Sequence, residues 1–303
     1  MTLFRARLRL DGPLGTALTS GTLFGHLCWA YRARRGEAAL GVWLRDMRAG
    51  AAAPFLVSDG VPHDLLPRPL LRPVSWSEDL PTAESDRLKR QRRLGWITRA
   101  SWLKVRIGLS ASALPPLLVD WRPQPVRQAH NRIDRLTGGT PEVAGLWFID
   151  DDWSFSTTPD RDLYLDTDLP DTEVADLLAD VGEQGYGRDS TYGRGRWRLE
   201  ALAADPELEG GSGDRLLSLS HGCLDPAMAD ARWERWTHFG KVGAEMAMSG
   251  ARPFKRPVLL MKPGATWAAG PGPFGRLLDG VHQDRPEIIH NAWHLAIPYR
   301  EAA

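Results

Sequence analysis

Residues 185–195 read Gly185-Tyr186-Gly187-Arg188-Asp189-Ser190-Thr191-Tyr192-Gly193-Arg194-Gly195, and what flanks this loop decides the fold class. Ahead of it, Val174, Leu177, Leu178 and Val181 recur at helical spacing behind a helix start at Asp171 or Thr172. Earlier still, Arg161–Leu169 alternates as a strand, and after the loop Arg196–Leu199 reads as another. The order is strand, helix, glycine loop, strand. The chain opens on a similar plan. Phe4, Ala6, Leu8 and Leu10 face one way and Arg5, Arg7 and Arg9 the other, which predicts a strand with one buried and one open basic face. Asp11-Gly12-Pro13 turns the chain. A helix from about Thr22 to Arg35 follows, with Leu23, Phe24, Leu27, Cys28 and Tyr31 on its apolar side and Gly36 as its stop. The end carries an apolar strand, Pro257–Met261, a Gly/Pro-rich loop and a last strand, His294–Tyr299. Short strands alternating with single helices predict an α+β chain in two similar halves.

The 303 residues suffice for two domains of ordinary size, and a hydrophobic fraction of 43% suffices for a core. Lys plus Arg and Asp plus Glu are both 38, so net charge is zero, yet the charges segregate along the chain. Residues 87–106 hold eight basic residues (Arg87, Lys89, Arg90, Arg92, Arg93, Arg99, Lys104 and Arg106) with Trp96 and Trp102 interleaved, a pattern that suits bases on aromatics and phosphates on cations. From Asp150 to Glu183 there are twelve acidic residues and one basic one, Arg161. Residues 51–85 are proline-rich and read as extended loop and edge strands. Cys28 and Cys223 lack metal-type spacing and read as buried thiols. The start alternates instead of running apolar, and no stretch is long and apolar enough for a bilayer, so a soluble cytoplasmic protein is expected.

The glycine loop permits positive φ and close approach of backbone N–H groups to a phosphate. Its order excludes the common nucleotide motifs. A P-loop needs Gly-x4-Gly-Lys-Ser/Thr before a helix, whereas here five residues separate Gly187 from Gly193, Arg follows and a strand comes next. A dinucleotide fingerprint runs strand, loop, helix, the reverse of what is found. No kinase companion motifs and no Gly-x-Ser-x-Gly elbow occur. A structural hairpin is the alternative reading of the loop.

Weaker features are Asn131-Arg132-Ile133-Asp134-Arg135-Leu136-Thr137, whose Arg132 and Arg135 would share a face on a helical turn, and His26, the lone histidine of its helix. His26 reads either as a boundary histidine bonding the backbone or as a general base. Asp150-Asp151-Asp152 reads as a turn, because adjacent strand residues point to opposite faces and seldom share one ion. No metal or cofactor is expected.

Taken in order, several segments resemble the RAMP family of CRISPR effector subunits, and within it the fourth subunit of the type III-A Csm complex. They are Gly15–Ala30, Phe55–Gly60 with Leu66-Pro67-Arg68-Pro69, Asn131–Thr140, the glycine loop, Leu217–Ser220, and Gly240-Lys241-Val242-Gly243 with Lys255 and Lys262. They span about residues 1–265. The resemblance implies two ferredoxin-like (RRM-type) domains, 1–145 with a basic insertion over about 51–130 and 146–303 carrying the glycine loop. It also implies a non-catalytic subunit that holds the 5′ handle of crRNA and contacts the large polymerase-like subunit and the adjacent backbone subunit. The RNA-contacting residues it implies are Gly185, Gly187, Arg188, Gly193, Arg194, Gly195, Asn131, Arg132, Arg135, Arg99, Lys104, Lys241 and His26. Two readings stay open beside it. One is a RAMP endoribonuclease that processes precursor crRNA with His26 as base. The other is a purely structural subunit whose acidic segment 150–183 meets a basic partner.

Overall fold

The computed structural model describes residues 1–72, 86, 89–91, 93–143, 145–243 and 252–302. Strand β1 (Thr2–Leu10) is the spine of the main sheet, with Ala6 and Leu8 fully buried and Leu3 and Leu10 nearly so. Helix α1 (Ser20–Arg35) follows, then α2 (Glu37–Ala49), a helix absent from the sequence expectation. Two short strands, β2 (Leu56–Val57) and β3 (Val61–Pro62), return to the sheet. The chain then leaves it. β4 (Leu65–Pro67), β5 (Trp96–Thr98) and β6 (Leu118–Val119) form a small antiparallel sheet, with α3 (Arg99–Val105) after β5. β7 (Pro125–Asn131) and β8 (Leu146–Asp152) form a hairpin. The chain re-enters the main sheet with β9 (Asp160–Thr167), α4 (Asp171–Gln184) and β10 (Trp197–Ala204).

The main sheet has the order β10-β1-β9-β2, with β3 also on β9, and its pairings are antiparallel. This is the β-α-β-β-α-β connectivity of a ferredoxin-like unit. Leu23, Phe24 and Leu27 of α1 and Val174, Leu177, Leu178 and Val181 of α4 are buried over it. The register of β1 on β9 places Arg7 opposite Asp162 and Arg9 opposite Asp160. Arg5 reaches Asp162 and Arg7 reaches Asp160, at 2.6 and 2.7 Å. At the end of α1, Arg34 pairs with Asp176 and Asp180 and Arg35 with Glu173 of α4. The basic face of β1 is therefore not open, and the acidic run is largely engaged by the chain's own arginines. Antiparallel pairing sets the two opposite-sign segments side by side.

The second half adds α5 (Pro206–Glu209), β11 (Arg215–Ser218), β12 (Arg235–His238), β13 (Val258–Met261), β14 (Thr266–Ala268), β15 (Leu277–Leu278), β16 (His290–Asn291) and β17 (Ala296–Tyr299). Their sheets are β14-β11-β17, β12-β13 and β15-β16, all antiparallel. The architecture is thus α+β with several small antiparallel sheets. Among the described residues after 204 the only α-helix is the four-residue α5, so a second ferredoxin-like unit is not what this half displays.

The expected division at 145/146 is crossed twice. β1 is hydrogen-bonded by β9 and β10 from beyond it, and one core cluster joins Leu8, Leu23 and Leu163 to Leu217, Leu295 and Ile297. A strand with an apolar face and two free edges is completed by whichever strands cover it, here residues some 150 positions away. The basic insertion also departs from expectation. Trp102 is fully buried against Tyr299, and the half-buried Trp96 donates its indole N–H to the Trp121 carbonyl at 3.0 Å. Both tryptophans are packing residues, not stacking platforms. Arg87 and Arg92 lie outside the described residues. Cys223 is buried and Cys28 half-buried, both as free thiols. Among the described residues no helix is long and apolar enough to cross a membrane.

Candidate nucleic-acid interface

The glycine loop folds flat onto the Gly12–Ala17 segment. Gly185, Gly187, Gly193 and Gly195 all have positive φ. At Gly187 (φ 74°) a Cβ would lie 2.6 Å from the Thr16 side chain, and at Gly195 (φ 66°) 2.1 Å from the Tyr186 carbonyl. Glycine is needed there for close approach of the chain to itself. Several of its backbone N–H groups are used inward as well. Gly187 donates to His26 Nε2 at 3.1 Å, Arg188 to Thr16 Oγ1 at 3.0 Å, and Gly195 to the Pro13 carbonyl at 2.9 Å. Tyr186 is fully buried, and its hydroxyl accepts from Thr19 N and donates to the Ala17 carbonyl. What the loop presents to solvent is its tip, Thr191 and Tyr192.

Arg188 and Arg194 converge on one fully buried carboxylate, Asp151 of β8. Arg188 Nη2 lies 2.8 Å from Oδ1 and Arg194 Nε 3.0 Å from Oδ2. Arg188 also donates to the carbonyls of Asp150 and Gly15, and Arg194 to Gln128 Oε1 of β7 at 2.8 Å. These two guanidinium groups, expected on phosphates, are instead the bolts that fix the hairpin to the loop. Leu14 completes the joint through two backbone hydrogen bonds with Asp152. The acidic triplet, expected in a turn, closes a strand. Its pleat sends Asp151 inward, while Asp152 accepts from the N–H groups of Gln124 and Ser154.

The hairpin itself stands out from the body. Apart from Asp151, no residue of β7 or β8 is buried. Trp147 and Phe148 are 43% and 53% exposed, and Leu136 at the tip is 97% exposed. A two-stranded hairpin without a covered face is marginal in water, so the buried Asp151 joint carries much of its order. Asn131, Arg132 and Arg135 sit at the tip in a β-loop, not the expected helical turn. Asp134 nucleates it, with its carboxylate accepting from Leu136 N and Thr137 N. All three are exposed, and neither arginine has a carboxylate partner among the described residues.

The remaining expected residues scatter. Arg99 is pinned between Asp205 and Glu207 at 2.7 and 2.8 Å, with its side chain 15% exposed, and is structural. Lys104 on α3 is exposed. Lys241 lies beyond β12, in an isolated bridge to Phe254. His26 accepts the Gly187 N–H through Nε2, so its neutral tautomer carries the proton on Nδ1. Burial lowers its pKa to about 4. That geometry fits the backbone-bonding reading of His26 and leaves Nε2 no free lone pair for proton abstraction. Among the described residues one cluster has metal-ligand chemistry, His63, Asp64 and Asp162, but Arg5 Nη2 stands 2.6 Å from both carboxylates and supplies its cation.

Sequence reasoning passed over two things. Asp151 as an anchor had no local signal. The stretch Arg235–Leu278 did have one, with seven basic residues and a single acidic one, Glu245.

With this geometry in place, known proteins supply a comparison. No family model matches the chain, and no curated protein matches it by sequence. Solved structures do. A chain of the Csm1-Csm4 cassette in complex with AMPPNP superposes with a TM-score of 0.58 at 13% identity, covering 100% of both chains. The cassette in complex with cA4 gives 0.58 at 14%, covering 99% of both. The Csm3-Csm4 subcomplex of the type III-A CRISPR-Cas interference complex gives 0.56 at 10%, covering 99% of both. Csm4 is the subunit these assemblies share. The chain has a Csm4-like fold. At this identity the likeness is one of fold, end to end, and it agrees with the resemblance drawn from the motifs. The Csm4-like fold here includes both the ferredoxin-like unit and the small sheets of the second half.

Proposed function

We propose that this chain is an RNA-binding subunit of a type III CRISPR effector complex that holds the 5′ handle of crRNA and touches a large polymerase-like subunit and an adjacent backbone subunit. The observation that carries the reading is the end-to-end likeness to Csm4, whose solved assemblies pair it with Csm1 and with Csm3. The hairpin supports it, since its tip offers Arg132, Arg135 and Asn131 with no carboxylate ion-paired to either arginine among the described residues. The loop residues Gly185, Gly187, Gly193 and Gly195, with Arg188, Arg194 and His26, act at one remove by setting the hairpin's angle. Lys104 and Lys241 add positive charge at separate places. His26, the base of the alternative endoribonuclease reading, is held as a hydrogen-bond acceptor by Gly187 N, which favours binding over cutting.

Co-expression with a Csm1-type and a Csm3-type subunit and a CRISPR array tests this. The complex should assemble and carry short RNAs with a common 5′ end. Arg132→Glu with Arg135→Glu should deplete that RNA. An assembled complex with undiminished RNA would refute the tip as a contact. Failure of this chain to join any such complex would refute the subunit reading. Precursor RNA cut in EDTA by the parent, and not by His26→Ala, would replace binding with catalysis.

A further inference from the structure

The pairing of cations shows where a polyanion has not been pre-empted. Most arginines of the main sheet and its helices are matched to carboxylates. Around β12 and β13 Lys262 still pairs with Glu234 at 3.0 Å, but four neighbouring cations are not matched in this way. From 235 to 241 the chain alternates strictly, with Arg235, Thr237, Phe239 and Lys241 exposed and Trp236, His238 and Gly240 turned inward. Opposite them, Arg252, Phe254 and Arg256 are exposed and Pro253 and Lys255 are not. Backbone hydrogen bonds join the two stretches beyond the strand ends, from Val242 to Pro253 and from Lys255 to Gly240. Among the described residues, Arg235, Lys241, Arg252 and Arg256 have no carboxylate within ion-pair distance. Arg252 reaches only the Gln283 amide oxygen. Phe239 and Phe254 are 71% and 59% exposed, and Lys241 Nζ lies 4.9 Å from the Phe254 ring centroid.

The inward residues explain why the phenylalanines stay out. The Trp236 ring packs tilted against His221 at 4.1 Å and His238 at 4.9 Å between centroids, and Lys255 Nζ donates to the Ile289 carbonyl. The space behind the sheet is filled. Two paired stretches bearing two open rings among four such cations have the chemistry of a single-strand platform, with rings for bases and cations for phosphates. A duplex would hide its bases from the rings.

We infer that the outward side of β12 and of the paired stretches that continue β12 and β13, residues 239–242 and 252–257, is a second single-stranded RNA track, on which Phe239 and Phe254 stack bases and Arg235, Lys241, Arg252 and Arg256 hold phosphates. Six residue steps from Arg235 to Lys241 give it a length of about 20 Å. It lies on a different sheet from the β7–β8 hairpin and takes RNA beyond whatever the hairpin tip holds. The inference rests on the reading of the chain as an RNA binder.

The test uses the full chain and a short fluorescein-labelled RNA of mixed sequence, followed by anisotropy across a salt series. Phe239→Ala with Phe254→Ala should weaken binding about tenfold or more with the salt slope unchanged, because stacking carries no counterion release. Arg235→Glu with Arg256→Glu should weaken it and lower the slope by at least about 1.4, at about 0.7 per lost phosphate contact on a single strand. All four positions are exposed, so folding is not at stake, and circular dichroism checks it. Parental binding by both double variants overturns the track. If Arg132→Glu with Arg135→Glu then still abolishes binding, the RNA reading survives and only the second track falls. If no variant changes binding, both fall. Unchanged RNA binding with loss of a co-purified subunit would also overturn the track and make the face a protein contact.

Discussion

Replacing Asp151 by Ala separates the two possible jobs of Arg188 and Arg194. Asp151 is fully buried and accepts from both guanidinium groups at 2.8 and 3.0 Å. Removing one member of a buried charge pair costs about 3–5 kcal/mol, because the partner charge is left uncompensated. The lower end applies here, since the Arg188 side chain is 37% exposed and keeps two carbonyl acceptors. At about 2 °C per kcal/mol for a chain of this size, the melting temperature should fall by about 6 °C. The loss should be local before it is global. Hydrogen exchange should accelerate first across Pro125–Asn131 and Leu146–Asp152. The RNA readout has opposite signs under the two readings. If the arginines grip phosphate, Asp151→Ala frees them and tightens binding. If they brace the hairpin, binding weakens as the hairpin loosens, and weakening is the expected result. A variant that melts within about 1 °C of the parent, keeps hairpin protection and binds RNA more tightly would refute the brace.

Other perturbations should behave as follows. Arg99→Ala should destabilise the fold by roughly 3 kcal/mol by stranding the buried Asp205, whereas Lys104→Ala should leave thermal stability unchanged; equal melting curves would contradict the assignment of Arg99 as structural. Gly195→Ala should cost at least about 1–2 kcal/mol, because the residue is left-handed and its Cβ would meet the Tyr186 carbonyl; denaturant titration measures it. Burial lowers the pKa of His26, His238 and His294 to about 4 and, with repulsion from Lys255, His238 and His221, that of His290 to about 3. Below the unfolded value of 6.5 the unfolded chain takes up protons that these folded-state histidines refuse. Stability should therefore be full above pH 6.5 and fall toward pH 4 by up to about 1.4 kcal/mol per pH unit for each histidine. Urea midpoints independent of pH across that window would contradict it. Replacing His294 by Asn should flatten part of this dependence, since its ring bridges Ser218 Oγ and the Cys223 carbonyl in the neutral form.

What the sequence by itself determined is local. Alternation set β1 and its buried face, 3.6-residue spacing set α1 and α4, and the glycine loop between helix and strand was visible before any coordinate. These features need only neighbouring side chains, so a short window contains their cause. Only the tertiary structure decided which charges are available. Arg5 meets Asp162, Arg34 meets Asp176 and Arg194 meets Asp151, partners far along the chain that antiparallel register and helix packing bring within hydrogen-bond distance. A segregated charge pattern in the sequence thus became paired charge in space. The glycine loop, which looked like a hand for phosphate, is a seat for a hairpin. Its arginines are spent where a buried carboxylate outcompetes water and solvent anions for them.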